Sequence, residues 1–578
     1  MAYWRRGGFE PVAGLLNGDE PAAAEPPRES PRPTVQALNY WPLSGRMRLL
    51  AIALAVVGIA VGWIPTAQFG NSPRYKLTIE QARANADAYL RTLGIDPNGY
   101  RHVTYPDTHW GGADSLAGKY FLERRPLSAA SKLFEHYRPV YYWRTRYFKP
   151  LENDEITIEE HPETGKVMGY IHGIPETRAG ADLTPDAARQ FAEQFAIAHG
   201  LDVAAMDLKE SESEKRKARR DYSLVWEARA GDARNVDQAH YRVNVDVYGD
   251  QVFAVYAWWK VPESFVRSRE RQSLFSIAAF TVRTAVTAVG IIFGLWMLIR
   301  QVRQGLVPWR RSLLLAIVPT LMLAIAAALS FQLTLYRNYD NAVPVDTQSA
   351  TLVVELAMQL VFAYVMSAAS AAFILSFFPQ SLAALRSVRW VFACDAAVLL
   401  ALADGLWYFY HWLAAVVADR FHSVALVEVA YPSLIGLPAP AFAGLAHVVQ
   451  AIFTRAAVLA IGALAVQKLR RRWMLVPLAL LAACMMVSEE VRTPAEFALE
   501  YLPAVVGVGL TMAFCLWFAR ANYLAYALVV GMAAVHAVVV ELLHSGNAGL
   551  EMQGGIVLAV VLVCLVWAVG PGLVRRDA

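Results

Sequence analysis

The chain has 578 residues, 56% of them hydrophobic and only 18% charged, with a formal net charge of +4. Soluble domains are roughly 45–50% apolar, so lipid is the expected solvent for much of this chain. Its basic residues flank apolar runs and form no stripe, which excludes a nucleic-acid partner, and its four cysteines (Cys394, Cys484, Cys515, Cys564) all fall in apolar segments, which excludes disulfides from the polar part.

Residues 1–46 contain seven prolines and no periodic apolar pattern, and read as a disordered cytoplasmic tail. The apolar run that follows starts too late for a cleavable signal and is predicted to be a transmembrane anchor over 47–69. Spanning a bilayer takes about 20 apolar residues. Nine further stretches qualify, near 274–299, 312–335, 352–378, 390–417, 440–466, 473–488, 501–518, 522–543 and 555–574, the seventh span being short and interrupted by Pro477. Every second connection is basic: Arg46 and Arg48; Arg300, Arg303, Arg310 and Arg311; Arg386 and Arg389; Lys468 with Arg470 to Arg472; Arg520; Arg575 and Arg576. Lys and Arg concentrate in cytoplasmic loops, so both termini are expected in the cytoplasm of a bacterial cell, with the chain multi-pass in the inner membrane and lipid as its first partner.

Between the first two spans, residues 70–272 collect most of the charge. The segment from Leu77 to Arg83 is echoed by Leu183 to Arg189, each a helix start with a Thr N-cap (Thr78, Thr184) and an acid two residues on (Glu80, Asp186). Each is followed by alternating strands, Glu155–Glu160 with Lys166–His172, then Tyr241–Val247 with Gln251–Trp258. A helix and then antiparallel strands, written twice, predicts a tandem α+β domain outside the cytoplasm. The layout resembles two PepSY-type modules, and the resemblance implies a domain that binds a peptide or protein partner and performs no catalysis itself. The aromatic run Tyr137, Tyr141, Tyr142, Trp143, Tyr147 and Phe148 fits either a recognition surface or a strand packed on its own core. The mixed-sign run Glu210 to Arg220 reads as a solvated loop or helix face.

Residues 273–578 form the predicted nine-helix part of the bundle, and ionisable side chains there are costly enough to mark candidate sites. They are Glu355; Asp395, Asp404 and His411; His447 and Arg455; Glu489, Glu490 and Arg492; His536, Glu541 and His544. Paired glutamates near an arginine, followed a span later by histidines, resemble the CPBP intramembrane proteases (CAAX protease and bacteriocin-processing family). The resemblance implies Glu489 or Glu490 as the base that activates water, with His536 and His544 as partners and a zinc-type divalent metal if the peptidase site is intact. The spacing departs from the family pattern: Arg492 follows the pair two residues early, Met532 holds the aromatic slot before His536, Asn547 is one residue short after His544, and both histidines lie on one helix. Eight helical residues are about 12 Å and about 80° apart, so the two imidazoles do not share a metal without a break in the helix. An impaired or altered peptidase site is therefore the expectation.

Each candidate also has a structural reading. Glu489, Glu490 and Arg492 fit an aqueous boundary, His536 fits a helix–helix hydrogen bond, and Glu541 with His544 fits a local pair three residues apart. Asp404 and His411 lie two turns apart on one face, about 10 Å, the spacing of a water-linked proton relay. A proton-coupled transporter and a non-catalytic sensor are thus the rival expectations, on the same fold class: a membrane all-α bundle of about ten transmembrane helices with an extracytoplasmic α+β domain.

Overall fold

The computed structural model describes residues 42–70, 74–270, 274–379, 390–469 and 471–574. Residues 1–41 of the expected tail (1–46) and the basic positions Arg386, Arg389, Arg470, Arg575 and Arg576 lie outside them, while Gly45 and Arg46, placed in that tail, already belong to the first helix. Among the described residues, nine helices are long and apolar enough to cross a membrane, the architecture of a multi-pass membrane protein.

The first of these, α1 (Gly45–Gly62), is started by Ser44, whose hydroxyl accepts from the Met47 amide. Its small residues Ala51, Ala55 and Gly58 are buried against the later helix Trp390–Arg420. A Cβ on Gly58 would lie 2.2 Å from the Gly405 carbonyl oxygen, and one on Gly405 would lie 2.6 Å from Ala55 backbone atoms. The two backbones therefore touch, the packing that small residues permit between helices in lipid. At the end of the same contact, fully buried Asp395 accepts from the Leu43 amide (2.9 Å) and the Arg48 Nε (2.7 Å).

The polar domain follows as α2 (Ile79–Thr92), β1 (Arg101–Thr108), α3 (Gly112–Leu122), α4 (Leu127–Tyr137), β2 (Tyr141–Phe148), β3 (Glu155–Glu160) and β4 (Val167–Gly173), then α5 (Pro185–Ala198), β5 (Met206–Lys215), β6 (Arg220–Ala228), β7 (His240–Tyr248), β8 (Gln251–Lys260) and α6 (Glu263–Glu270). Thr78 and Thr184 cap α2 and α5 as the sequence predicts, and Gln81 completes a capping box on the first. The strands form one antiparallel sheet in the order β1-β2-β3-β4-β8-β7-β6-β5. Each half opens on a helix and contributes four neighbouring antiparallel strands, the first half adding α3 and α4 between β1 and β2, and the last strands of the halves meet at Tyr170 opposite Val255. The core between sheet and helices holds Phe121, Phe134, Tyr147, Trp226 and Trp259, each fully buried; full burial of such a side chain contributes roughly 1.5–3 kcal/mol.

The aromatic run resolves as core, since Tyr142, Trp143, Tyr147 and Phe148 on β2 are all buried. Glu210 to Arg220 is solvated except at buried Arg219, and it is neither loop nor helix: it is β5, its turn and the start of β6, paired from Met206–Ala228 to Lys215–Arg220.

The remaining helices are α7 (Leu274–Arg303), α8 (Trp309–Leu329), α9 (Phe331–Arg337), α10 (Val345–Phe377), α11 (Trp390–Arg420), α12 (Pro440–Lys468), α13 (Leu475–Ala483), α14 (Pro494–Ala513, with a π-helical turn to Ala519), α15 (Tyr523–Leu543) and α16 (Ala548–Val574). The expected seventh span differs. Residues Arg472–Met486 form only a short apolar helix with 3₁₀ turns at both ends. Fifteen residues rise about 22 Å, less than the bilayer core. The chain leaves the helix where Ser488, Glu489 and Glu490 begin, with the Ser488 amide donating to Glu500 (2.6 Å).

The sheet domain rests on the end of the bundle that is poor in Lys and Arg. Arg146 donates to the carbonyls of Tyr336, Arg337 and Tyr339, which end α9 and the turn after it. Trp110 donates to Val427, Arg269 to Glu490 and the Asn547 amide group to Lys76. Ile435 inserts beside Tyr75 and Trp143.

Candidate functional site

The junction is organised around the start of α14. Thr493 and Glu496 form a capping box, in which Thr493 Oγ1 accepts from the Glu496 amide and Glu496 Oε2 accepts from the amides of Thr493 (3.2 Å) and Arg492 (2.8 Å). The other carboxylate oxygen takes two cations from the sheet domain, Lys119 Nζ at 3.2 Å and Arg269 Nη1 at 2.5 Å. Lys119 is buried on α3 and also donates to the carbonyls of Ser423 (2.9 Å) and Ala425 (3.2 Å). A buried ammonium is tolerated when a carboxylate and carbonyls replace its water. Together these contacts lock α3, α6, the 422–430 segment and the start of α14 into one node.

Beside the node lies a groove of about 600 Å³. Met485, Met486 and Val487 line it on the bundle side, and Trp110 and Val427 on the other. Trp110 is fixed by its bond to Val427 and by edge packing on Phe69 and Phe134, and it sits so close to α3 that a Cβ on Gly118 would lie 2.4 Å from the indole. Glu428, Glu489 and Glu490 border the opening. Arg283 on α7 binds Glu489 at 2.6 Å, while no ion pair holds Glu428 or Glu490 among the described residues. Among the residues that line the groove, one cation faces three acids, with Arg269 and Arg492 reaching the Glu490 and Glu489 carbonyls from beside it, and exposed, deformable methionines lie along it.

Behind Trp110 runs a chain of charges in the sheet domain. Arg144 joins Asp107 (2.8 Å) to Glu159 (2.9 Å), and Arg138 grips Asp114 (2.8 Å) while donating to His109 Nδ1 (3.2 Å). Burial, helped by Arg138 and Arg144, holds the His109 imidazole well below its ordinary value. Since guanidinium only donates, His109 is the Nε2–H tautomer, facing Glu159 at 3.5 Å and stacked on Tyr142.

Of the residues singled out in the sequence, Glu489 and Glu490 border this groove, and Arg492 lies beside it, its guanidinium donating to the Glu489 carbonyl (2.9 Å). His536 is elsewhere, 4.4 Å from the Trp407 ring, which His411 also meets at 4.1 Å. No hydrogen bond or ion pair joins Glu489 or Glu490 to His536 among the described residues. His544 caps the end of α15 and its Nδ1 faces the Val540 carbonyl at 3.1 Å. Glu541 does not pair with His544; it accepts from the amides of Leu434 (2.5 Å) and Ile435 (3.3 Å) and from the Ser433 hydroxyl (3.2 Å), which pins the 431–439 segment under the sheet domain. Asp404 is half-buried on α11, and no ion pair reaches it among the described residues. Among the described residues, no three His, Cys, Asp or Glu side chains converge as a metal site, so Glu489, Glu490, His536 and His544 do not fit the zinc-type metal that the resemblance implies.

Sequence reasoning missed Lys119, Trp110, Arg283, Glu428 and Glu496. Thr493-Pro494-Ala495-Glu496 is a legible capping box, but nothing local marks that Glu496 also receives cations from residues more than two hundred positions away. Compared with known proteins, the chain matches no family model, no curated protein and no solved structure, and its geometry alone carries the functional argument.

Proposed function

We propose that this is a bacterial inner-membrane protein that binds a cationic peptide, or a cationic segment of a protein, in the groove where its sheet domain meets the bundle. In this reading it is a relative of the CPBP intramembrane proteases with an altered peptidase site, its sheet domain is a pair of PepSY-like modules outside the cytoplasm, and both termini are cytoplasmic. The observation that carries it is the chemistry of the groove: methionines and a tryptophan for apolar side chains, and Glu428, Glu489 and Glu490 for Lys or Arg. Methionine-rich surfaces accommodate varied apolar partners, and charge at the rim sets selectivity and on-rate. Glu489, committed to Arg283, and His536, packed on Trp407, are employed apart from each other, which favours binding over hydrolysis.

The test is binding of a fluorescent Lys/Leu peptide to the purified full chain. A Glu428→Gln, Glu489→Gln, Glu490→Gln variant is expected to bind at least about tenfold more weakly at low salt, with a smaller salt dependence than the parent. Equal binding of a Glu/Leu peptide, or parental affinity in the variant, would refute the reading; cleavage of the peptide would restore the peptidase. A second reading, proton coupling, is favoured by Asp404, near the middle of α11 and reached by no ion pair among the described residues, and by His411 and His536 sharing Trp407. Proton flux in reconstituted vesicles that Asp404→Asn abolishes would select it.

A further inference from the structure

Within its length, before Lys468 ends it, helix α12 carries two basic side chains, His447 and Arg455, and both are exposed. Arg455 is fifteen residues from Pro440 and thirteen from Lys468, about 22 and 20 Å from the ends of the helix, too deep for its guanidinium to reach either one. Elsewhere α12 is occupied. Toward its Pro440 end Gly444, eleven residues before Arg455 and on the same face, meets Val538 of α15; on other faces Ile452 meets Gly531 of α15, Gln450 accepts from Ser367 of α10 (3.1 Å), and Ile461 meets Gly294 of α7. The face with Arg455 also bears Val458, 68% exposed, and no ion pair reaches Arg455 or His447 among the described residues. A guanidinium at that depth is costly in hydrocarbon and is retained where a carboxylate or water answers it.

The chain's own acids do not supply the match. Asp395 is buried against Leu43 and Arg48, Glu541 holds Leu434 and Ile435, Asp404 is half-buried on another helix, and Glu355 lies twelve residues before Ser367 on α10 whereas Arg455 lies five after its partner Gln450, about 25 Å apart along the two helices. The geometry points to the His447, Arg455 and Val458 face of α12 as the docking site for a membrane-spanning helix of a second protein that carries an Asp or Glu at mid-membrane depth. Val458 packs against its apolar residues and Arg455 receives the carboxylate.

The probe is a synthetic Leu/Ala helix with one central Asp, labelled at one end, added to vesicles holding the full chain with a fluorescent protein at its C terminus. Energy transfer at least fivefold above that of an all-Leu/Ala helix is expected for the parent and for Arg455→Lys, and its loss for Arg455→Leu. Transfer that is equal for the Asp and all-Leu/Ala helices, or that survives Arg455→Leu, would overturn the inference. So would Arg455-dependent transfer between two differently tagged copies without peptide, which makes the occupant a second copy. Rapid labelling of Arg455→Cys by a membrane-impermeant thiol reagent, beyond that of the four native cysteines, would assign the face to a water-filled crevice and also defeat it.

Discussion

The two edge strands of the eight-stranded sheet each open a half of the domain, and they have opposite fates. The outer edge strand β1 has Val103, Thr104 and Tyr105 buried, Arg337 lies over the Tyr105 ring at 4.8 Å, and Tyr431 donates to the Pro106 carbonyl at 2.7 Å. Pro106 fits an edge strand because it lacks the amide a further strand would need. The opposite edge strand β5 is exposed over most of its length and carries Lys209, Glu210, Glu212, Glu214 and Lys215. Charge is one of the means by which sheets avoid pairing edge to edge. The lesson is that the repeat builds the sheet, while side chains at its edges decide which half is fastened to the membrane bundle and which stays in water.

The comparison breaks most severely at Glu496. Glu496→Gln leaves Lys119 and Arg269 facing a neutral amide in a buried place, and removing one partner of such a pair costs about 3–5 kcal/mol. Thermal unfolding of the purified chain, read through protease cleavage between residues 70 and 272, is expected to shift down; an unchanged midpoint would mean the docked half is not fastened there. Arg146→Ala is the next test. Arg146 grips Glu155 with two bonds (2.7 and 2.8 Å) and satisfies three carbonyls after α9. Its loss is expected to cost about 2–3 kcal/mol, and hydrogen exchange at 331–343 should accelerate while β5–β8 stay protected.

Much of this division is written locally, and the part that is not has a physical cause. The Thr78 and Thr184 caps and strands β3, β4, β7 and β8 are legible because capping and period-two alternation are short-range. Strand β2 is buried at five of its eight positions, on both of its faces, so no alternation marks it, and β5 is so charged that it imitates a loop. In the bundle the long apolar spans are plain from length alone, whereas Arg472–Met486 falls short because Ser488 to Glu490 turn away to meet Glu500 and Arg283. The candidate site was half visible. Glu489 and Glu490 announce themselves as acids beside an apolar run, but their true neighbours, Trp110 and Arg283, come from elsewhere in the chain.

The halves should also differ in their response to pH, because the docked half holds a buried carboxyl, Glu160, opposite Trp143. Burial pushes its value up to about 8, against a small offset from the Asn85 amide. Between its ordinary value of 4.5 and about 8, the unfolded chain ionises this group while the folded chain keeps it protonated. Its contribution is therefore complete below the unfolded value and fades as pH rises through that window, by at most about 1.4 kcal/mol per unit. Glu160→Gln is expected to flatten this slope, gaining about 1–2 kcal/mol at pH 7.5 and nothing at pH 4.5. Equal midpoint shifts at both pH values would show that Glu160 is ionised in the folded protein.

The smallest effect on stability is expected at the free edge. Glu212→Val with Glu214→Val removes two exposed acids from β5; Glu214 pairs at 2.8 Å with partly exposed Arg216, a surface contact of about 0–1 kcal/mol. The midpoint of unfolding should move by less than about 0.5 kcal/mol per site. Association is where the change should appear, because the edge then offers unpaired amides and carbonyls flanked by valines to a second copy. Light scattering of the purified protein is expected to show concentration-dependent assembly in the variant alone. Matched substitutions on β1 would not produce it, since Tyr431 and Arg337 already occupy that side; a monodisperse β5 variant would mean that charge is not what keeps the free half apart.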